Sequence, residues 1–255
     1  MPSSNKVAIV TGSATGAGAA IALALADKGY NVVINYTKSL KEAEETEAAC
    51  AAKGVETLLF QGDISKDEDC RAMAKATMDK WGRIDGLVNN AGRTKFVAHS
   101  DLDGLSAEDF QDIYAVNTVG SFQMSRAAAP YMKETGKGSI VMISSVAGTH
   151  GHGSSIAYAA SKGALNTMTM SLARVLGPEI RVNAICPGFI ETRWLPQGYG
   201  EDKYEAYKKK LVRDVPLQAV CQPEDIAEAA VSFIDGMGMM TGEIVIVDGG
   251  MHLGR

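Results

Sequence analysis

Short apolar runs alternate with longer amphipathic stretches along the whole chain. The apolar runs are rich in Val and Ile with little polar alternation, which is typical of strands buried on both faces of a parallel sheet. They occupy residues 6–12, 31–36, 56–63, 84–92, 138–145, 180–188 and 243–250. Amphipathic stretches between them, such as 17–28, 39–53 and 66–81, predict crossing helices. The pattern therefore predicts an α/β fold, a three-layer, doubly wound parallel sheet of about seven strands with right-handed crossovers.

The segment 189–214 departs from this alternation, because it is richer in Tyr, Trp and Gly than the rest of the chain. It follows the sixth predicted strand, at the edge where open α/β sheets bind ligands, and we expect a mobile lid that supplies substrate specificity. The glycines that provide backbone freedom and the aromatic residues that cover a substrate are Gly198, Gly200, Trp194, Tyr199, Tyr204 and Tyr207. The alternative is ordinary packing of these aromatics in a short helical pair or a subunit contact.

Composition narrows the class of protein. The 255 residues are 46% hydrophobic and 22% charged, so we expect one domain over residues 1–255 with a sizeable core. The net charge of −5 argues against nucleic acid, and the run Lys208 to Lys210 is expected to be a solvated helix face. No apolar stretch reaches about 18 residues, so we expect no membrane span.

The cysteines and the N-terminus bear on the compartment. The cysteines are far apart in the sequence and lack a CxxC spacing, which favours free thiols; they are Cys50, Cys70, Cys186 and Cys221. The chain starts with five polar or small residues before its first strand and not with the basic start and long apolar middle of a signal peptide. We therefore expect a cytoplasmic protein.

A glycine-rich turn, TGSATGAG, connects the first predicted strand to a helix. Gly12, Gly16 and Gly18 let the backbone approach a phosphate closely, while the helix N-terminus supplies free N–H donors and a partial positive charge. A dinucleotide pyrophosphate fits this arrangement. The spacing G-x3-G-x-G differs from the general GxGxxG fingerprint, and a tight turn without a ligand is the alternative for this motif taken alone.

The pentapeptide YAASK places Tyr158 and Lys162 one helical turn apart. Reducing a carbonyl requires a proton at oxygen, and a phenol with a pKa near 10 exchanges protons slowly at neutral pH. A nearby ammonium is expected to lower the phenol pKa by about two to three units. The pair is therefore a candidate acid/base couple, the alternative being a Tyr and a Lys that merely cover a helix surface.

Seven motifs, taken in order, resemble the short-chain dehydrogenase/reductase family over almost the whole chain. They are TGSATGAG at 11–18, NNAG at 89–92, Asn117, ISS at 143–145, YAASK at 158–162, PGFIET at 187–192 and VDGG at 247–250. The resemblance implies a Rossmann-type fold and hydride transfer between a nicotinamide dinucleotide and a carbonyl or secondary alcohol. It also implies a homotetramer, with the apolar or small surfaces of helices 106–133 and 158–175 as candidate contacts.

By the same resemblance, Tyr158 is the acid/base, Lys162 also holds the nicotinamide ribose, Ser145 hydrogen-bonds the substrate oxygen, and Asn117 anchors a water that links Lys162 to solvent. Thr192 is expected to bond the nicotinamide carboxamide. The full implied cofactor set is Gly12, Ser13, Thr15, Gly16, Ala17, Gly18, Asn35, Tyr36, Thr37, Lys38, Asp63, Ile64, Asn90, Ala91, Gly92, Tyr158, Lys162, Pro187, Gly188, Ile190 and Thr192.

The end of the second strand bears on the choice between NADP and NAD. Enzymes that use NAD normally carry an acidic side chain there for the ribose hydroxyls, and Tyr36 stands at that place. Neutral donors at Asn35, Thr37 and Ser39 together with the charge of Lys38 favour a 2′-phosphate, so we expect NADP, with NAD possible. Asp63 is expected beside the adenine, or else in a helix-capping turn.

The sequence leaves the substrate open. His150 and His152 lie in a glycine-rich loop between Ser145 and Tyr158, and we expect His152 and Trp194 to contact the substrate with Ser145. Two His residues without further ligands do not predict a metal site. The resemblance covers 3-oxoacyl-[acyl-carrier-protein] reductases and sugar or polyol dehydrogenases, and a non-catalytic dinucleotide-binding redox sensor is the alternative from another class.

Overall fold

Seven parallel strands form one sheet in the order β3-β2-β1-β4-β5-β6-β7 in a computed structural model that describes residues 3–253, apart from the side chains of 195, 197 and 199. The strands are β1 Val7–Val10, β2 Asn31–Tyr36, β3 Thr57–Gln61, β4 Gly86–Asn89, β5 Gly138–Ile143, β6 Ile180–Pro187 and β7 Ile244–Val247. Each predicted apolar run contains one of them. The predicted doubly wound, Rossmann-type α/β fold is confirmed.

Helices connect the strands and cover the sheet. They are α1 Gly16–Asp27, α2 Leu40–Ala51, α3 Asp67–Trp81, α4 Ala107–Tyr114, α5 Ser121–Thr135, α6 Ala147–His150, α7 Ile156–Leu176, α8 Trp194–Tyr199, α9 Glu201–Asp214 and α10 Pro223–Asp235. A 3-10 turn follows β7 at Met251–Leu253.

Both faces of the sheet are buried, as the unbroken apolar runs predict. In β1 the side chains of Ala8 and Val10 pack into one core layer and those of Val7 and Ile9 into the other. The first layer contains side chains of α1 and α10, and the second contains side chains of α3, α5 and α7. Burying a large aliphatic side chain contributes about 1.5–3 kcal/mol. All four cysteines are buried and unpaired, so this burial, without disulfides, holds the layers together.

The predicted helix over 106–133 is three segments. Ser106 caps α4 in a capping box with Asp109, and a π-helical segment, Ala115–Gly120, separates α4 from α5. The π-helical turn widens the helix at Asn117, and such turns are frequent at functional sites. A hydrophobic period of 3.6 residues does not reveal this change, because the apolar face continues through it.

The strand order reverses beside β1, whose neighbours are β2 and β4. Connections from β1 and β4 therefore leave the carboxyl edge of the sheet in opposite directions and open a crevice between them. The glycine-rich turn follows β1 and the NNAG motif spans the end of β4, so both face this crevice. The fold thus brings motifs about 75 residues apart in sequence to one place.

Candidate active site

The glycine-rich turn approaches the chain after β4 so closely that side chains are excluded. A Cβ on Gly12, which has a φ of +60°, would lie 2.9 Å from the Cα of Ala91, and one on Gly18 would overlap the Asn90 amide. Thr15 occupies the N-cap position of α1, but its side chain accepts no hydrogen bond from the helix, and the first turn contains no acidic residue. Its N–H groups and partial positive charge therefore suit an anion, as the sequence predicts for a pyrophosphate.

Asn35 holds this turn in place. Its Oδ1 accepts a hydrogen bond from the Gly12 N–H at 3.0 Å, and its Nδ2 donates to the carbonyl of Gly62 at 3.0 Å. Asn35 is 2% exposed. Because its amide is engaged in tying the ends of β1, β2 and β3 together, the Asn35 side chain has no donor left for a 2′-phosphate, and any other contact of Asn35 with a cofactor stays a prediction.

The Ser13 side chain also stabilises the glycine-rich turn and does not line the cavity. Its hydroxyl donates to the carbonyl of Val10 at 2.7 Å and accepts from the N–H of Asn35 at 3.0 Å. The side chain is completely buried. The Ser13 hydroxyl is therefore engaged within the turn, and the expected contact of Ser13 with the cofactor stays a prediction.

A cavity of about 820 Å³ lies along the crevice. Of the residues predicted from sequence to bind cofactor or substrate, all but Ser13 line it; they are Gly12, Thr15, Gly16, Ala17, Gly18, Asn35, Tyr36, Thr37, Lys38, Asp63, Ile64, Asn90, Ala91, Gly92, Ser145, His152, Tyr158, Lys162, Pro187, Gly188, Ile190, Thr192 and Trp194. The structure thus brings together residues from both halves of the chain, while their individual roles stay predictions.

Tyr158, Lys162 and Ser145 converge in the cavity from two elements. The first turn of α7 carries Tyr158 because Ser155 caps that helix, its hydroxyl accepting from the Tyr158 N–H at 3.3 Å. Ser145 follows β5, and its hydroxyl is near enough to the Tyr158 hydroxyl to act to lower the pKa of that phenol. Gly148 keeps the two elements in contact, since a Cβ there would lie 2.5 Å from the Lys162 carbonyl carbon.

The electrostatics of the pair differ from the sequence-based expectation. Burial raises the pKa of Tyr158 to about 12, against the opposing hydrogen bond of Ser145, whereas the sequence argument predicted a lowered value. Lys162 donates to the carbonyl of Ile143 at 2.7 Å, and its Nζ lies 5.8 Å from the centre of the Tyr158 ring. Burial lowers the pKa of Lys162 to about 8. The predicted lowering of the Tyr158 pKa was wrong, because helical spacing shows only that the two residues share a helix face. It does not show how far each group is removed from water.

Asn117 lies in the π-helical segment and does not reach the cavity. Its Nδ2 donates to the Ser161 hydroxyl at 2.9 Å and to the carbonyl of Arg93 at 3.0 Å, while its Oδ1 accepts from the Arg93 N–H at 2.7 Å. It therefore connects α7, one residue before Lys162, to the turn after β4. The water that Asn117 is expected to anchor stays a prediction.

At the end of the cavity next to β2, Tyr36, Thr37 and Lys38 line the wall together with Asp63. The Asp63 carboxylate accepts hydrogen bonds from the N–H and the hydroxyl of Ser65 at 3.0 and 2.8 Å. Asp63 therefore forms the turn before α3 and also lines the cavity, while its predicted place beside the adenine stays a prediction.

The other end of the cavity is covered by aromatic side chains. Trp194 at the start of α8 stands edge-on to Tyr158, with ring centroids 6.1 Å apart. A Cβ on Gly198 would overlap the ring of Phe96, so α8 rests directly on the loop after β4. The side chain of Tyr199 lies outside the described residues. The segment 189–214 is thus a short helical pair over the cavity, and its mobility stays a prediction.

Contacts at the base of this helical pair correct one expectation. Lys208 forms an ion pair with Glu191, which also accepts from Gln222 at 2.8 Å, so Lys208 is half-buried and not simply solvated. Lys209 and Lys210 are exposed, as expected.

Several lining residues were not predicted. They are Gly62, Arg93, Thr94, Phe96, Val116, Ile143, Ser144, Val146, Ala147, Gly153, Ser154, Phe189, Arg193 and Met251. Tyr207, which the sequence predicts to cover a substrate, lines the cavity, whereas Tyr204, predicted with it, does not. A positional signal was available for Phe96 and Met251, since each closely follows the carboxyl end of a strand. No residue-type signal marks them, because apolar side chains at such places resemble ordinary core residues.

The described residues contain neither a metal-binding cluster nor a membrane-spanning helix. Residues 3–253 contain no group of three or more His, Cys, Asp and Glu side chains placed to bind a metal ion. Within the same range, no helix combines the length and apolar character needed to cross a bilayer.

The chain is similar to known oxidoreductases over nearly its full length. Residues 12–252 match a family model described as enoyl-(acyl carrier protein) reductase. The chain is 39% identical over 247 residues to "granaticin polyketide synthase putative ketoacyl reductase 2" of Streptomyces violaceoruber, covering 97% of this chain and 96% of that protein. It is 33% identical over 252 residues to 3-oxoacyl-[acyl-carrier-protein] reductase FabG of Staphylococcus epidermidis, covering 98% and 100%.

Solved structures agree with these relatives. The fold superimposes with a TM-score of 0.92 and 40% identity on "a putative short-chain dehydrogenase/reductase from Burkholderia xenovorans", covering 99% of this chain and 100% of that one. It also matches levodione reductase with a TM-score of 0.90 and 28% identity, covering 97% and 98%.

Proposed function

This chain belongs to the short-chain dehydrogenase/reductase family, and on that premise we propose that it reduces a carbonyl compound with NADPH. Membership makes it an oxidoreductase that transfers hydride between a nicotinamide cofactor and a carbonyl or secondary alcohol. One observation carries the proposed direction and chemistry: Tyr158, beside Ser145 and one helical turn from Lys162, lines the same cavity as the glycine-rich turn.

The residues present fit a dinucleotide. The uncapped start of α1 and the glycines that exclude side chains form a cradle for a pyrophosphate. Tyr36, Thr37 and Lys38 would hold the adenosine end, and Thr192 and Lys162 the nicotinamide end. A reduced nicotinamide held there would supply a hydride to the carbonyl carbon.

The protein's own groups handle the proton. Tyr158, whose raised pKa keeps it protonated at neutral pH, donates its hydroxyl proton to the substrate oxygen, and Ser145 donates a hydrogen bond to the same oxygen. Lys162 stabilises the phenolate that forms, since the pKa of about 8 leaves it mostly charged at pH 7. Asn117 positions the first turns of α7 by its bond to Ser161.

The end of β2 supports NADP over NAD. Residues 35–39 contain no carboxylate that would repel a 2′-phosphate, and Lys38 brings a positive charge to the cavity wall. With Asn35 engaged elsewhere, the proposal rests on Tyr36, Thr37 and Lys38.

For the substrate we favour a ketone with an apolar or aromatic body. Phe96 and Trp194 cover the reacting end of the cavity, which suits apolar surface. His152 borders the same space. A 3-oxoacyl chain on a carrier protein is the second candidate, supported by the names of two relatives. It is disfavoured by charge, because Arg93 and Lys95 near the cavity are already paired with Asp112 and Asp109.

Assembly and compartment are part of the proposal. Exposed apolar side chains on the π-helical segment, α5 and α7, namely Val119, Phe122 and Met170, support a homotetramer in which these helices pack against a second copy. Sedimentation of a stable monomer at micromolar concentration would refute it.

Four unpaired cysteines support a reducing, cytoplasmic location.

A substrate panel tests the function. Cyclic and aromatic ketones, a 3-oxoacyl thioester and a sugar are assayed with NADPH and NADH in parallel, following cofactor absorbance. Consumption of NADPH with an apolar ketone is expected. Binding of dinucleotide without consumption across the whole panel would instead indicate a redox sensor, and turnover of the carrier-bound thioester alone would establish the second candidate.

A further inference from the structure

The segment between β6 and α8 crosses the cofactor cleft. At its start, Ile190 forms an isolated bridge with Cys221, and the Glu191 N–H donates to the Cys221 carbonyl at 2.8 Å. Further along, the Thr192 methyl would contact a Cβ placed on Gly16 at 3.4 Å. The segment is therefore anchored at one side and lies against the glycine-rich turn at the other.

Arg193 completes this crossing with an ion pair to α2. Its guanidinium lies 2.8 Å from the Glu42 carboxylate. Glu42 is the one acidic residue in the first turn of α2, the helix that begins just after Tyr36, Thr37 and Lys38. Arg193 therefore reaches the wall of the cavity where the adenosine end of a dinucleotide is proposed to bind.

The two partners differ in their relation to the cavity. Arg193 lines it together with Tyr36 and Lys38, whereas Glu42 is not among the lining residues. The hydrogen bond from Arg193 holds the pKa of Glu42 below its usual value, so Glu42 is ionised at neutral pH. An ionised carboxylate without Arg193 would repel a phosphate bound beside it.

The ion pair is weak enough to exchange. The side chain of Arg193 is 48% exposed and that of Glu42 is 35% exposed. Pairs this exposed shift an equilibrium by about fivefold or less, because solvent screens them. A phosphate offers a guanidinium two oxygens with more charge than one carboxylate, so it competes well for the same group.

Building on the proposed function, we propose that Arg193 is a specificity-determining residue for NADP, exchanging Glu42 for the 2′-phosphate when the cofactor binds. The Glu42 carboxylate then repels the phosphate, and this repulsion limits the affinity for NADPH. The pair thereby tunes the preference for NADPH over NADH from the segment that leads into α8, on a different element from β2, where the sequence places this choice.

Equilibrium binding of NADPH and NADH, measured by calorimetry, tests the inference without relying on turnover. Arg193→Met is expected to raise the Kd of NADPH about tenfold and that of NADH about twofold or less. Arg193→Lys, which keeps the charge and loses the planar fork, is expected to fall between. Glu42→Gln is expected to lower the Kd of NADPH about threefold and to leave NADH unchanged.

Glu45→Gln is the matched control. Glu45 lies on the same helix, with a looser ion pair to Lys41 at 4.0 Å, and its loss should change neither Kd. Thermal melting of each variant confirms that it folds. Equal weakening of NADPH and NADH by Arg193→Met, or no change in either, would overturn the role of Arg193. Preference of the parent protein for NADH would instead overturn the proposed cofactor, so the two failures are distinguishable.

Discussion

Lys162 approaches Tyr158 at the face of the ring, with its Nζ 5.8 Å from the ring centre and its hydrogen bond directed to the Ile143 carbonyl. Lys162 is buried and Tyr158 is partly buried, and this desolvation raises the pKa of the phenol and lowers that of the ammonium. The phenol is therefore held as the acid in a proton transfer, and the ammonium is held close to the pH at which it loses its charge.

Tyr158→Phe removes the proton donor and keeps the ring. We expect dinucleotide binding to stay within about twofold and turnover to fall at least about a hundredfold, since general acid catalysis contributes on that scale. Calorimetric titration and steady-state rates measure the two effects separately. Activity within about threefold of the parent would contradict the assignment of Tyr158.

The rate of carbonyl reduction should depend on the charge of Lys162. Because the folded pKa is about 8, the ammonium is present below that pH and is lost above it. We expect kcat for reduction to be level between about pH 6 and 7.5 and to fall above about pH 8, while Tyr158 remains protonated. Initial rates at saturating cofactor and substrate measure this profile, and a rate that climbs through pH 9 would argue against it.

Tyr36→Asp should reverse the cofactor preference. A carboxylate at the end of β2 repels a 2′-phosphate and accepts hydrogen bonds from ribose hydroxyls, so kcat/KM should favour NADPH in the parent and NADH in the variant. The measurement compares both cofactors with one ketone. Equal use of the two cofactors by the parent would make this prediction untenable.

Gly198→Ala should disturb the cover of the cavity. The added methyl group overlaps the Phe96 ring, so α8 must lift, and we expect KM for the ketone to rise severalfold while the Kd of NADPH stays unchanged. Gly238→Ala is the control, because a Cβ there meets no atom within 4 Å. Adding Phe96→Leu should recover part of the loss; no change in KM in the Gly198 variant would show that this contact does not shape the substrate site.

Hydrogen exchange tests the mobility of the same helical pair. If it works as a lid, amides across 193–210 exchange rapidly in the free protein and slow when NADPH and a substrate analogue are added. Slow exchange before any ligand is added would identify a fixed structural element.

The periodicity of apolar residues was sufficient to predict the sheet, because strands such as β1 are covered on both faces and leave an unbroken apolar run. Motif positions at strand ends likewise predicted most of the cavity wall. The sequence did not predict the hydrogen-bond partners of individual side chains. Ser13 and Asn35 occur where a cofactor contact is expected, yet both are engaged in hydrogen bonds to the backbone. The pKa of Tyr158 depends on burial, which residue spacing does not encode.

At the end of β2, the residue that supports the glycine-rich turn, Asn35, is distinct from the neighbouring residues that line the cavity. Its amide hydrogen-bonds the backbone of Gly12 and Gly62 and so holds their positions. The next three residues, 36–38, line the cavity instead. Substitutions in that tripeptide can therefore alter which nucleotide is accepted while the phosphate cradle keeps its shape. Residues 36–38 could therefore be substituted together, by natural selection or by design, to change the nucleotide preference, provided that Asn35 is retained.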